Sequence, residues 1–152
     1  MQLTQRTDYA LRTLLYLTVH RDRLVPVIEI SAAYGISNHH LVKVAHDLAQ
    51  HGFIDAARGR GGGLRLAREP ASITLGEVVR VTESHFDLVE CFDRAHNTCP
   101  IVTACELTRI LDEARARFLE VLDTRTLADL AADPRRTGQL VRIWRRQLAS
   151  AD

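Results

Sequence analysis

All three cysteines of this 152-residue chain, Cys91, Cys99 and Cys105, fall within fifteen residues in the pattern C-x7-C-x5-C. Thiolates are natural ligands of iron–sulfur clusters and of zinc, and a loop lets three of them converge on one inorganic core. Zinc sites usually carry close C-x2–4-C pairs, which this spacing lacks. The same residues could instead form a redox disulfide with one thiol left over, or remain buried free thiols. Pro100 stiffens the loop after Cys99. Cys105 stands where a long helix should begin, and the helix dipole there favours a thiolate. A cubane needs a fourth ligand, and the chain has no fourth cysteine. His96, Asp93 and Glu90 are close in sequence, and a partner subunit is another source.

A second set of residues suits a polyanion. Asn38, His39 and His40, with Lys43 one turn on, are short polar groups and hydrogen-bond donors at the start of a predicted helix. Asn can read adenine through two hydrogen bonds, and lysine suits a phosphate. Arg58, Arg60 and Arg65 flank Gly61 and Gly62 in Arg58-Gly59-Arg60-Gly61-Gly62-Gly63. Such a turn can approach DNA closely and place arginine in the minor groove. Against this stand two other uses of the pattern: helix-turn-helix geometry in proteins that never touch DNA, and a mobile Gly/Arg loop. Gly59-x-Gly61 is followed by a strand and not a helix, so it is no nucleotide-binding turn. The pairs His39/His40 and His46/His51 could suggest a metal, but they are read as surface or satisfied histidines.

The elements that must carry these groups follow from periodicity. Thr7 is the expected N-cap of a first helix running to about His20, with Leu11, Leu14, Leu15 and Thr18 on its apolar face. Pro26 opens a second helix, Gly35 breaks it, and Ser37 or Asn38 caps a third that Gly52 ends. Phe53–Ala57 and Leu64–Ala67 read as a hairpin closed by Pro70. Thr74 and Glu77 are spaced as a capping box for a helix to Val81. Residues 83–105 show no period and read as a loop. Leu107, Ile110, Leu111, Ala114, Phe118, Val121 and Leu122 then define a long amphipathic helix, followed by a helical turn at Thr126–Leu130. From Pro134 the tail is expected to be helical but poorly anchored. The fold class is mainly α with a small β-hairpin: a winged helix-turn-helix plus a long helix. We divide it into 1–82, a DNA-binding domain; 83–106, the cysteine loop; 105–131, the long-helix region; and 132–152, the tail.

Twenty Lys/Arg against nineteen Asp/Glu leave +1, which excludes a uniformly basic coat. The charge is uneven: residues 1–68 hold nine basic and five acidic groups, and residues 69–152 hold eleven and fourteen. The basic front half is the end expected to meet a polyanion. No apolar run approaches the ~18 residues of a membrane span, and the stretch from Met1-Gln2-Leu3-Thr4 lacks a signal-peptide h-region. With an odd cysteine count, this leads to the expectation of a reducing, cytoplasmic location. No Ser–His–Asp pattern, P-loop or Gly-framed carboxylate pair is present, so no enzyme is expected.

The stretches Met1-Gln2-Leu3-Thr4…Thr7-Asp8-Tyr9-Ala10-Leu11-Arg12, Val42-Lys43-Val44, Arg58 to Leu66 and Leu75-Gly76-Glu77-Val78-Val79-Arg80 resemble the iron–sulfur winged-helix transcription regulators. Asn97-x-Cys99-Pro100-Ile101…Cys105-x-Leu107, Phe118-Leu119-x-Val121-Leu122-Asp123 and Thr126-Leu127-Ala128-Asp129-Leu130 are most similar to the nitric-oxide-sensing repressors among them. The resemblance runs to about residue 131. It implies a homodimer joined by the long helix and a double-stranded DNA operator as partner. It also implies a cluster held by Cys91, Cys99 and Cys105, with nitric oxide as the signal and nitric oxide detoxification genes as targets. In such repressors an acidic residue near the start of the first helix, from the other subunit, completes the ligand set; that position is Asp8. Cluster-biogenesis members use a histidine just past the third cysteine, where this chain has Leu107 and Thr108. Three cysteines plus one oxygen ligand match the corners of a 4Fe-4S cubane better than a 2Fe-2S core. The alternative is a thiol-based redox regulator with the same DNA module and no cluster.

Overall fold

The computed structural model describes residues 2–151; Met1 and Asp152 lie outside the described residues. Helices α1 (Gln5–Val19), α2 (Val27–Tyr34) and α3 (Asn38–Gln50) form a three-helix head. Strands β1 (Ile54–Ala57) and β2 (Gly63–Leu66) form an antiparallel wing in the register Ile54↔Leu66 to Ala57↔Gly63. Helix α4 (Leu75–Thr82) follows. A largely irregular segment with one 3₁₀ turn (Glu90–Phe92) then leads to α5 (Glu106–Asp123), α6 (Leu127–Leu130) and α7 (Pro134–Ala151).

One core holds the head together. Leu14 and Leu17 of α1, Ile30 of α2, Leu41 and Leu48 of α3, and Phe53 are almost fully buried, as helical spacing requires. Val25 adds a short bridge to the wing, exchanging backbone bonds of 2.9 and 2.8 Å with Leu64. That bridge explains Gly63: a Cβ there would lie 2.7 Å from the Val25 carbonyl carbon. Gly59 and Gly61, at φ 94° and 81°, turn the wing tip through backbone space that other residues avoid.

Several sequence expectations shift. Thr4, not Thr7, caps α1: its hydroxyl accepts from the Thr7 amide, and Thr7 is wholly buried. Thr4 holds that place because its amide and hydroxyl also donate to Glu83, 79 residues away, at 2.8 and 3.0 Å. At α4, Thr74 accepts from the Glu77 amide at 3.1 Å, but the Glu77 carboxylate pairs with Arg68, so the box is only half formed. The complete box lies at Thr126 and Asp129. Strand β1 begins one residue later than expected, at Ile54, and β2 is shifted one residue earlier, to Gly63–Leu66.

The largest correction concerns the tail, which is firmly anchored. Helix α7 packs along α2, and Trp144, 3% exposed, sits between Tyr16, Tyr34 and His20 with ring centroids 4.7, 5.7 and 5.7 Å away. Leu140, Val141 and Leu148 join the same core. Their spacing is helical, but the partners lie more than a hundred residues upstream, so the pattern shows a face without showing what covers it. Among the described residues no helix is long and apolar enough to cross a membrane.

Candidate functional site

The reading head presents the polar groups expected of it. Asn38, His39, His40 and Lys43 all project from the first turns of α3 and are exposed. The opposite face, Leu41, Val44, Ala45 and Leu48, is buried. Sequence reasoning passed over Val42, an apolar side chain left 49% exposed among these polar neighbours. An outward apolar group on such a helix can meet a thymine methyl. In the wing, Arg58, Arg60 and Gly61 are exposed and Gly62 is half-buried. Arg65 is exposed too, but it pairs across the hairpin with Asp55 at 3.2 Å, which leaves Arg58 and Arg60 as the uncommitted charges of the tip among the described residues.

The cysteine loop is held from both ends. Glu83, its first residue, grips Thr4 of α1. At its far end Cys105 occupies the N-cap position of α5. All three cysteines are free and half-buried, and they line one cavity of about 220 Å³ with Val89, Ile101, Leu107 and Leu111. Glu90 and Thr108 complete the lining, and the sulfur donors suit iron. No three His, Cys, Asp or Glu side chains among the described residues converge on a single metal ion. Three sulfur donors on one cavity are the ligand chemistry of an iron–sulfur cluster.

Thr108 organises this site, a role that the sequence did not reveal. Its hydroxyl lies 3.3 Å from the Cys91 sulfur. Its amide, and then its hydroxyl, hold the Cys105 thiol below its ordinary pKa. Both groups sit in the first turn of α5, where amides have no partner inside the helix. The local candidates for a fourth ligand are already engaged. His96 Nδ1 and Asp93 bond to each other at 2.6 Å, and Glu90 accepts from both the amide and the hydroxyl of Thr98. Asp8 is half-exposed on α1, paired with Arg12 at 2.8 Å, and does not line the cysteine cavity of its own chain.

Helix α5 has no fully buried residue. Its inner side (Leu111, Phe118, Leu119 and Leu122) is half-buried, and it packs against α4. Leu107, Ile110 and Val121, with exposed Ala114, form an outward stripe; the first three are 59%, 51% and 60% exposed. Arg80 of α4 forms a two-armed pair with Asp123 at the end of α5, and the Leu75 amide donates to the Arg125 carbonyl at 2.8 Å.

Residues 3–133 match the Rrf2 family, described as iron-dependent transcriptional regulator. The chain is 49% identical to the HTH-type transcriptional regulator NsrR of Shouchella clausii, over 86% of this chain and 88% of that protein. It is 47% identical to NsrR of Bacillus subtilis, over 86% and 90%. Among solved structures it is similar to T. potens IscR, with a TM-score of 0.71, 26% identity and 88% of each chain covered.

Proposed function

The chain belongs to the Rrf2 family of iron-dependent transcriptional regulators, and from that premise we propose that it is a homodimeric, nitric-oxide-responsive repressor of nitric oxide detoxification genes. One observation carries this reading: the three cysteines line a single cavity at the N-terminus of the helix whose outward stripe is uncovered. Cys91, Cys99 and Cys105 would hold a 4Fe-4S cluster there, with Asp8 of the partner subunit as the fourth ligand. When bound, such a cluster supplies iron to which nitric oxide coordinates and ligand bonds that can be lost.

The protein's own residues do the rest. Thr108 favours the thiolate of Cys105. Leu107, Ile110 and Val121 pack against the same stripe of a second copy, because an apolar stripe of this length is stabilised by leaving water. To serve as a ligand, Asp8 would have to give up its pair with Arg12. Asn38, His39, His40 and Lys43 enter the major groove, and Arg58, Arg60, Gly61, Gly62 and Arg65 form the wing contact. The Thr4–Glu83 and Arg80–Asp123 contacts join the loop to α1 and α4 to α5. Loop position can therefore bias the spacing of the two heads, a two-state element with one ligand set acting on it.

The test is a nitric oxide titration of anaerobically purified protein, following the iron chromophore and operator affinity together. The two fall in parallel if the reading is right. Affinity that persists after the chromophore has gone removes the cysteines from the switch. A preparation that contains no stoichiometric iron and sulfide, yet responds to thiol oxidants, points to the thiol-based regulator.

A further inference from the structure

Helix α7 lies past residue 133, the last residue of the family match, and its charge is unlike that of the rest of the chain. Residues 134–151 carry five arginines and no acidic residue, whereas the residues up to Asp133 carry fifteen basic and eighteen acidic groups. Its arginines are also placed differently. On α5, Arg109, Arg115 and Arg117 pair with carboxylates one turn away on the same helix. On α7 only Arg136 has a carboxylate in reach, at Asp133; Arg135, Arg142, Arg145 and Arg146 have none among the described residues. All five are exposed.

The helix also displays them rigidly. Asp133 accepts from the Arg135 amide at 2.9 Å and caps the helix start. Thr137, Leu140, Val141, Trp144 and Leu148 point inward or are half-buried. Arg135, Arg142 and Arg146 are spaced i, i+7, i+11, which places them on one stripe opposite that face. The helix beneath is α2, the first helix of the helix-turn-helix, and in this motif that helix crosses the DNA backbone while the next one enters the groove.

We propose that the arginine stripe of α7 is an additional phosphate-binding surface, which grips DNA backbone beside the segment read by α3 and the wing. This rests on the DNA-binding reading above and adds to it a contact that uses charge alone. Arginine forks suit phosphate oxygens, and such contacts strengthen binding without reading sequence. The partner is nucleic acid and not an acidic protein because the stripe rides on an element of the DNA-binding head itself.

The experiment uses full-length protein and a mixed-sequence duplex of about four helical turns, with affinity measured by fluorescence anisotropy from about 50 to 200 mM KCl. The proteins are wild type, R135Q/R142Q/R146Q, R135K/R142K/R146K, and a K43A/R60A variant of the reading surface proposed above. Each lost phosphate contact makes the log K against log [salt] slope shallower by about 0.9. The Gln variant should lose at least one such unit per protomer and bind about tenfold more weakly at the lower salt. The Lys variant should keep most of the slope, and thermal unfolding should match wild type because these side chains are exposed. A Gln variant with wild-type slope and affinity, beside a weakened K43A/R60A, overturns the proposal and leaves the DNA-binding reading standing. Wild-type protein that binds no duplex at any salt overturns both. Loss in the Gln and Lys variants alike also overturns it, since the effect would not follow charge.

Discussion

Trp144→Ala tests whether the C-terminal helix is part of the folded core. Trp144 is 3% exposed and lies in the ring cluster of Tyr16, Tyr34 and His20. A buried tryptophan removes about 200 Å² from water, which at about 25 cal/mol per Å² is ~5 kcal/mol. Measured Trp→Ala losses of about 3–5 kcal/mol agree with that figure. For a domain of this size each kcal/mol lowers the melting temperature by about 2–4 °C, so a fall of at least ~6 °C is expected. The assay is thermal unfolding by circular dichroism, joined to hydrogen exchange across residues 134–151. Exchange should rise along α7 and also in α2, which it covers. A melting point within ~2 °C of wild type, with unchanged protection in α7, would refute the claim that this side chain docks the tail.

Four other outcomes are expected. Gly63→Ala drives a Cβ into the Val25 backbone; a loss of about 1–3 kcal/mol in thermal unfolding and weaker duplex binding should follow, and an unperturbed melt would count against the wing bridge. Thr108→Val removes the hydroxyl that helps hold Cys105 below its ordinary pKa. The thiolate fraction at neutral pH then drops, and iodoacetamide should modify Cys105 of the metal-free protein more slowly, as read by mass spectrometry. Replacing Cys91, Cys99 or Cys105 singly by Ser should abolish stoichiometric iron after anaerobic reconstitution, whereas Asp8→Ala should retain iron but release it faster to a chelator. Glu29 is held below the usual glutamate range by its bond to Arg23, against partial burial and with help from Tyr16. Its stabilisation is therefore present above the unfolded-state glutamate pKa and lost as pH falls through the lower folded value, so Glu29→Gln should flatten the acid side of the melting-temperature profile.

Much of the fold and site was legible in the residues themselves. Turn chemistry and local periodicity are nearest-neighbour properties, so Gly35, Gly52 and Pro70 delimited the head and wing, and the stripe from Leu107 to Leu122 announced α5. The cysteine spacing picked out one loop as a candidate site, because three soft donors fall within fifteen residues, and the fold brings all three to one cavity. Tertiary structure decided what those patterns touch. Thr4 displaced Thr7 as the cap because Glu83 reaches it from across the fold. Glu77 left its capping box half formed because its carboxylate pairs with Arg68, nine residues upstream. Thr108 became the residue beside two cysteines only once the loop folded back onto the first turn of α5. The tail's apolar face could be seen in sequence, but its anchoring depended on rings of α1 and α2 more than a hundred residues away. Local patterns set which side chains share a face; only the closed chain sets which face meets which.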